Sequence, residues 1–97
     1  MNLTYTNFKI YNKTLTTANT EYSQALTQNA SYFEVKARTL VDIRFAMVSG
    51  DTADGGTYLT IPAGTSWSSR GRVFGTKTLY LRCMSSDGIV VEISEWS

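Results

Sequence analysis

A chain of 97 residues and 10.8 kDa has room for one domain, which buries about two-thirds of the surface its unfolded form exposes. Hydrophobic residues make up 42% and charged residues 18%, enough apolar material for a core and too little charge for a disordered tail. With no histidine, one cysteine, and nine basic residues against eight acidic, the composition excludes imidazole catalysis, His-based zinc sites and an internal disulfide, and argues against a nucleic-acid partner, whose phosphates require a basic excess.

The dominant hydrophobic period is two, so the predicted elements are strands. Leu3–Tyr11 is mixed, with Phe8 and Ile10 on one face and Tyr5 and Tyr11 on the other, and reads as an edge strand or an arm. The same edge-or-arm reading extends to residues 1–29 as a whole. Thr14–Gln28 is polar and threonine-rich; within it Thr20–Leu26 fits a strand or a weak helical turn, and strand is the expectation. Tyr32–Arg38 places Phe33, Val35 and Ala37 on one face and Glu34, Lys36 and Arg38 on the other. In Val41–Met47 every odd position is apolar, with Asp42 and Arg44 between. The short Thr39-Leu40 link makes these two strands either a hairpin or a corner between sheets.

Ser49–Gly56 combines glycines with aspartates and reads as a long loop projecting into solvent. Thr57–Ile61 is a short strand ended by Pro62-Ala63-Gly64, since proline cannot donate to a ladder. Thr65–Ser69 carries Trp67. Leu79, Leu81 and Cys83 alternate with Tyr80 and Arg82, and Ser85–Gly88 supplies turn chemistry before Ile89–Trp96, which predicts a second hairpin. In that last strand Ile89, Val91 and Ile93 point inward and Glu92 and Ser94 outward. Seven or eight short strands at this spacing predict a single all-β domain spanning 1–97, an antiparallel β-sandwich or jelly-roll.

Chemistry-bearing patterns are sparse. Asp51 and Asp54 with Gly55 and Gly56 resemble half of a calcium loop, but no glutamate follows at the later position such a loop uses, so a solvated loop is the expectation and no metal or cofactor is assigned. Glu92 and Glu95 fall on opposite strand faces and cannot act as an acid and base pair. Ser49-Gly50 and Ser69-Arg70-Gly71 lack a nucleophile elbow and any imidazole to take a proton, and no phosphate-loop spacing occurs. Arg70, Arg72 and Lys77 form a modest basic cluster, either a contact for an acidic partner or a solvated rim paired with Asp87 or Glu95. Trp67, Trp96, Tyr58 and Tyr80 are candidates for an aromatic platform, with core packing as the competing role. The residues singled out for interface or ligand contact are therefore Trp67, Trp96, Tyr58, Arg70 and Arg72, with no catalytic residue.

No basic start followed by an apolar stretch opens the chain, so the expectation is synthesis in the cytoplasm without a secretory signal. No apolar run approaches the roughly 20 residues of a membrane-spanning helix. Cys83 alternates with apolar neighbours and reads as a small buried hydrophobe. The three Asn-X-Ser/Thr triplets, at Asn2, Asn12 and Asn29, read as accidental in a chain rich in Asn and Thr.

Four stretches carry a family likeness: Val41-Asp42-Ile43-Arg44-Phe45; Gly55-Gly56-Thr57-Tyr58-Leu59-Thr60-Ile61-Pro62-Ala63-Gly64-Thr65-Ser66-Trp67; Leu79-Tyr80-Leu81-Arg82; and Val90-Val91-Glu92-Ile93. Over residues 30–96 the chain resembles small all-β virion proteins of tailed bacteriophages and prophages. The resemblance implies a non-enzymatic structural protein that decorates or cements a capsid, or serves at the neck or tail. It implies other virion proteins as partners, a homo-oligomer, and a place in the virion after assembly in the bacterial cytoplasm; the near-neutral charge and the lack of a long apolar run leave no nucleic-acid or membrane partner expected. It transfers no functional residues. The alternative is a carbohydrate- or receptor-binding module of a phage tail or fibre, acting through its aromatic side chains.

Overall fold

A computed structural model describes residues 8–27, 32–69 and 77–96. These residues form eight strands and no helix: β1 (Phe8–Leu15), β2 (Tyr22–Ala25), β3 (Tyr32–Ala37), β4 (Ile43–Ala46), β5 (Leu59–Ile61), β6 (Ser66–Ser68), β7 (Thr78–Arg82) and β8 (Ile89–Trp96). The first sheet has the order β1-β8-β3-β6 and the second the order β2-β7-β4-β5, with every pairing antiparallel. The pairs β1·β8, β2·β7, β3·β6 and β4·β5 are those of a single long hairpin folded at its middle. The pairs β3·β8 and β4·β7 close when that hairpin rolls up. This is the jelly-roll, the all-β architecture that the period-two pattern predicts.

The pattern works because each strand has one apolar face and the two sheets turn those faces toward each other. Phe33 and Val35 of β3, and Val91 and Ile93 of β8, meet Ile43 and Phe45 of β4 and Leu79 and Leu81 of β7 in one buried cluster. Phe33 and Phe45 span the two sheets edge to face, with centroids 6.3 Å apart. Each such side chain removed from water contributes about 1.5–3 kcal/mol. Cys83 is fully buried at the end of this row, as its alternation with Leu79 and Leu81 predicts.

Several boundaries differ from the sequence reading. Of the two forms expected for the Thr39-Leu40 link, the structure has the corner, since β3 lies in the first sheet and β4 in the second. Ser85–Gly88 makes no hairpin: it crosses from β7 in the second sheet to β8 in the first. With β7 and β8 in different sheets, Leu79 and Leu81 face Val91 and Ile93 across the core, and all four are fully buried. Gly88 makes that crossing with φ at +69°, and its N–H donates to the carbonyls of Leu15 and Thr16. β1 continues past Tyr11 to Leu15, whose side chain is buried opposite Ile89; residues 3–7 of the expected strand lie outside the described residues. Met47, expected on the inner face, is exposed, because β4 ends at Ala46.

The largest correction concerns Ser49–Gly56. This loop folds back against the molecule, and Thr52 at its centre is 0% exposed. The cause is electrostatic. Arg44 and Arg82 are directly opposed on β4 and β7, an unfavourable like-charge pair. The loop brings acceptors to both: the Thr52 carbonyl to Arg44 at 3.0 Å, the Thr52 hydroxyl to Arg82 at 3.2 Å, and Asp54 to Arg44 at 2.8 Å.

Candidate functional site

Strand parity sorts the first sheet into two faces. On β8 the odd positions enter the core, and Val90, Glu92, Ser94 and Trp96 point outward. The register sets Phe8 and Ile10 of β1 and Tyr32 and Glu34 of β3 on that same outer face, in the rows Phe8↔Trp96↔Tyr32 and Ile10↔Ser94↔Glu34. Trp96 packs between Phe8, at 4.8 Å, and Tyr32, at 4.9 Å, with both rings tilted to it. Phe8 and Ile10 remain 53% and 59% exposed. Beside them lies a shallow groove of about 300 Å³ lined by Phe8, Ile10, Glu34, Lys36, Glu92 and Ser94. Arg38 closes toward Glu92 at 3.1 Å.

The residues expected to share a contact surface are not brought together. Trp96 lies on this outer face, whereas Trp67 points inward from β6 and packs on Phe45 at 5.0 Å and Phe33 at 5.5 Å. Tyr58 sits at the second sheet, with the Arg44 guanidinium 4.3 Å from its ring centre. Arg70 and Arg72 lie outside the described residues. Phe8 and Ile10 join the surface although the sequence reading did not select them; their shared face was legible, but not that this face is the solvent side.

Six of the eight acidic residues, Glu21, Asp42, Asp54, Asp87, Glu92 and Glu95, are engaged with partners within the chain. Glu95 is 1% exposed and accepts from the Tyr11 hydroxyl at 2.7 Å, from the Thr27 amide at 3.0 Å and from the Thr27 hydroxyl. Burial, then the hydrogen bond and negative charge of Glu95, push the Tyr11 phenol above its ordinary value, against the opposing hydrogen bond of Thr27. Glu21 receives the amides of Gly50 and Thr52 and the Thr52 hydroxyl. Desolvation, the largest single influence on Glu21, raises its carboxyl, but those three hydrogen bonds and the charge of Arg82 together outweigh it and the net direction is down. The Tyr22 phenol is lowered chiefly by its hydrogen bonding with Thr17, whose amide donates to it at 2.9 Å. Asp42 accepts from the Ala63 amide and Asp87 from the Ala18 amide, while Asp54 of the expected half calcium loop pairs with Arg44. Neither Glu95 nor Asp87 forms an ion pair with a basic group among the described residues. No cluster of three metal-ligating side chains occurs among the described residues.

Fold and surface together define a jelly-roll whose interior is filled by apolar side chains and whose outer first-sheet face carries the aromatic row Phe8–Trp96–Tyr32, with exposed Ile10 in the next row beside Phe8. No protein-family model, curated protein or solved structure matches the chain.

Proposed function

We propose that this chain is a non-enzymatic structural protein of a tailed-phage virion, a small adhesion module that decorates or cements the capsid as one of many symmetric copies. The observation that carries the reading is the exposed Phe8 and Ile10 beside Trp96 and Tyr32 on a sheet face that no other part of the described chain covers. Contiguous apolar groups left outside a filled core favour contact with another protein. The jelly-roll is a fold that capsid proteins use, which supports the placement without deciding it. The likeness of residues 30–96 to small phage virion proteins points the same way. Contacts of roughly 1,200–2,000 Å², repeated by particle symmetry, give tight association without a catalytic centre. Assembly in a reducing bacterial cytoplasm suits a chain with one buried thiol.

Particles purified on a density gradient and analysed by quantitative mass spectrometry test this. The expected result is the chain at a copy number set by capsid symmetry. Its absence from particles, while abundant in the same lysate, contradicts the proposal.

One observation favours a second reading, a carbohydrate- or receptor-binding module: the Phe8–Trp96–Tyr32 row borders a groove with Glu34, Lys36 and Ser94, which mixes aromatic surface with hydrogen-bonding groups. In a Trp67→Phe variant Trp96 is the sole indole, so a change of its fluorescence on titration with host glycans supports this reading. A flat response removes it.

A further inference from the structure

We infer that the outer edge of β1, unpaired among the described residues, is a docking strand for an extended segment of another protein whose side chains alternate apolar and acidic. The inference deepens the adhesion reading and rests on it for the partner being a virion protein; the chemistry of the contact stands on the structure.

A two-sheet roll has four edge strands, here β1, β6, β2 and β5. Proteins protect such edges because their unpaired backbone groups accept any passing strand. Three of these edges are blunted by shortness: β5 and β6 have 3 residues each and β2 has 4. β1 has 8, and its ladder with β8 runs unbroken from Phe8↔Trp96 to Leu15↔Ile89 with no bulge to bend it away. It is the one edge among the described residues long enough to guide a full added strand.

Its side chains say what that strand must carry. Phe8 and Ile10 stand exposed on the outer side. Lys9 and Lys13 alternate with them on the other side, opposite Glu95 and Val91 of β8. Glu95 is taken up by Tyr11 and Thr27, and among the described residues the Lys9 ammonium reaches only the Thr27 hydroxyl, at 3.3 Å. Neither lysine forms an ion pair among the described residues. An added strand places alternate side chains beside these two rows, so apolar groups fit next to Phe8 and Ile10, and carboxylates next to Lys9 and Lys13. Ladder hydrogen bonds supply attraction, and the cross-strand pairs, about 0.2–1 kcal/mol each, supply selectivity.

The same charges disfavour the most extensive self-pairing of β1 in which like positions meet. In the twofold antiparallel register centred on Tyr11, with both outer faces on one side, Lys9 of each chain stands opposite Lys13 of the other. Like charges directly opposed are destabilising. That register carries a charge penalty which an acidic strand does not meet.

The test uses a peptide of about ten residues alternating Val and Glu, and its Val–Lys counterpart, each titrated into the isotope-labelled full chain. The Val–Glu peptide is expected to shift and protect β1 amides, and the Val–Lys peptide to leave them unchanged. Charge reversal by Lys9→Glu with Lys13→Glu should switch the preference by about tenfold. Should that double variant fail to fold, Lys9→Gln and Lys13→Gln singly should each weaken Val–Glu binding. Binding of neither peptide, equal binding of both, indifference to the lysine variants, or concentration-dependent pairing of the chain through β1 overturns the inference. Peptide binding without the chain in purified particles would retire the virion reading and keep the edge; the reverse would do the opposite.

Discussion

Glu95 continues the inward parity of Ile89, Val91 and Ile93, and its carboxylate sits where a fourth apolar side chain belongs. The alternation in the sequence already implies this position. The partners do not follow from it, since Tyr11 and Thr27 lie far away in sequence and reach Glu95 only because β1 pairs with β8 and β2 ends nearby. Glu95→Ala leaves the Tyr11 hydroxyl and the Thr27 amide without their acceptor; unsatisfied buried groups cost about 1–3 kcal/mol each, so urea unfolding should show a loss of about 3 kcal/mol. The tyrosines offer a second test. The Tyr11 phenol is raised by burial and by Glu95, whereas Tyr22 is lowered by Thr17. In an ultraviolet titration compared with Tyr11→Phe and Tyr22→Phe variants, Tyr22 should ionise first and Tyr11 late. A raised phenol binds its proton more tightly in the fold, so the contribution of Tyr11 is complete below the ordinary value near 10 and is lost as pH rises through the higher folded value.

The loop between β4 and β5 shows what an element hides from sequence. Its Gly and Asp content correctly marks a loop, but the same composition suits a solvated one and a tethered one. The difference lies in the opposed Arg44 and Arg82 and in Glu21, which no local pattern joins to Thr52. The lowered Glu21 carboxyl stabilises the tether above the ordinary glutamate range, and that stability is lost as pH falls through the depressed value. The protection factors of the Gly50 and Thr52 amides, measured against the intrinsic exchange rate at each pH, should therefore fall on acidification below about pH 4, and Glu21→Gln should give the reduced protection at neutral pH. Gly56 bears on the same loop: a Cβ there would lie 2.3 Å from the Asp51 carbonyl oxygen, so Gly56→Ala should lower the melting temperature and raise loop exchange. Sequence alternation located β3, β4, β7 and β8 well, because each has a buried and a wet face. It misjudged the β7–β8 connection, because turn chemistry reads the same whether the chain returns within one sheet or crosses to the other.

For the whole molecule, period-two alternation was enough to predict two facing sheets, but the order of strands depends on pairings between distant segments. β1 and β8 join the two ends of the chain, as Phe8 opposite Trp96 shows. Such topologies fold on the millisecond-to-second scale, which stopped-flow refolding can check. Val91 and Phe45, 0% and 2% exposed from opposite sheets, should not tolerate a carboxylate. Val91→Asp or Phe45→Asp each buries an unpaired charge costing several kcal/mol against a total of about 5–15, so circular dichroism should show no cooperative melt. The candidate surface was only half legible: Trp96 stood out as an aromatic near a strand end, while Trp67 proved to pack inward because β6 pairs it with Val35 over Phe33 and Phe45. Under the proposed function the molecule works by holding to virion proteins. The most direct measurement is a reconstruction of the particle that carries the chain. The expected result is jelly-roll density repeated by capsid symmetry, with β1 and the Phe8–Trp96–Tyr32 face against a neighbour. A particle complete without that density would contradict it.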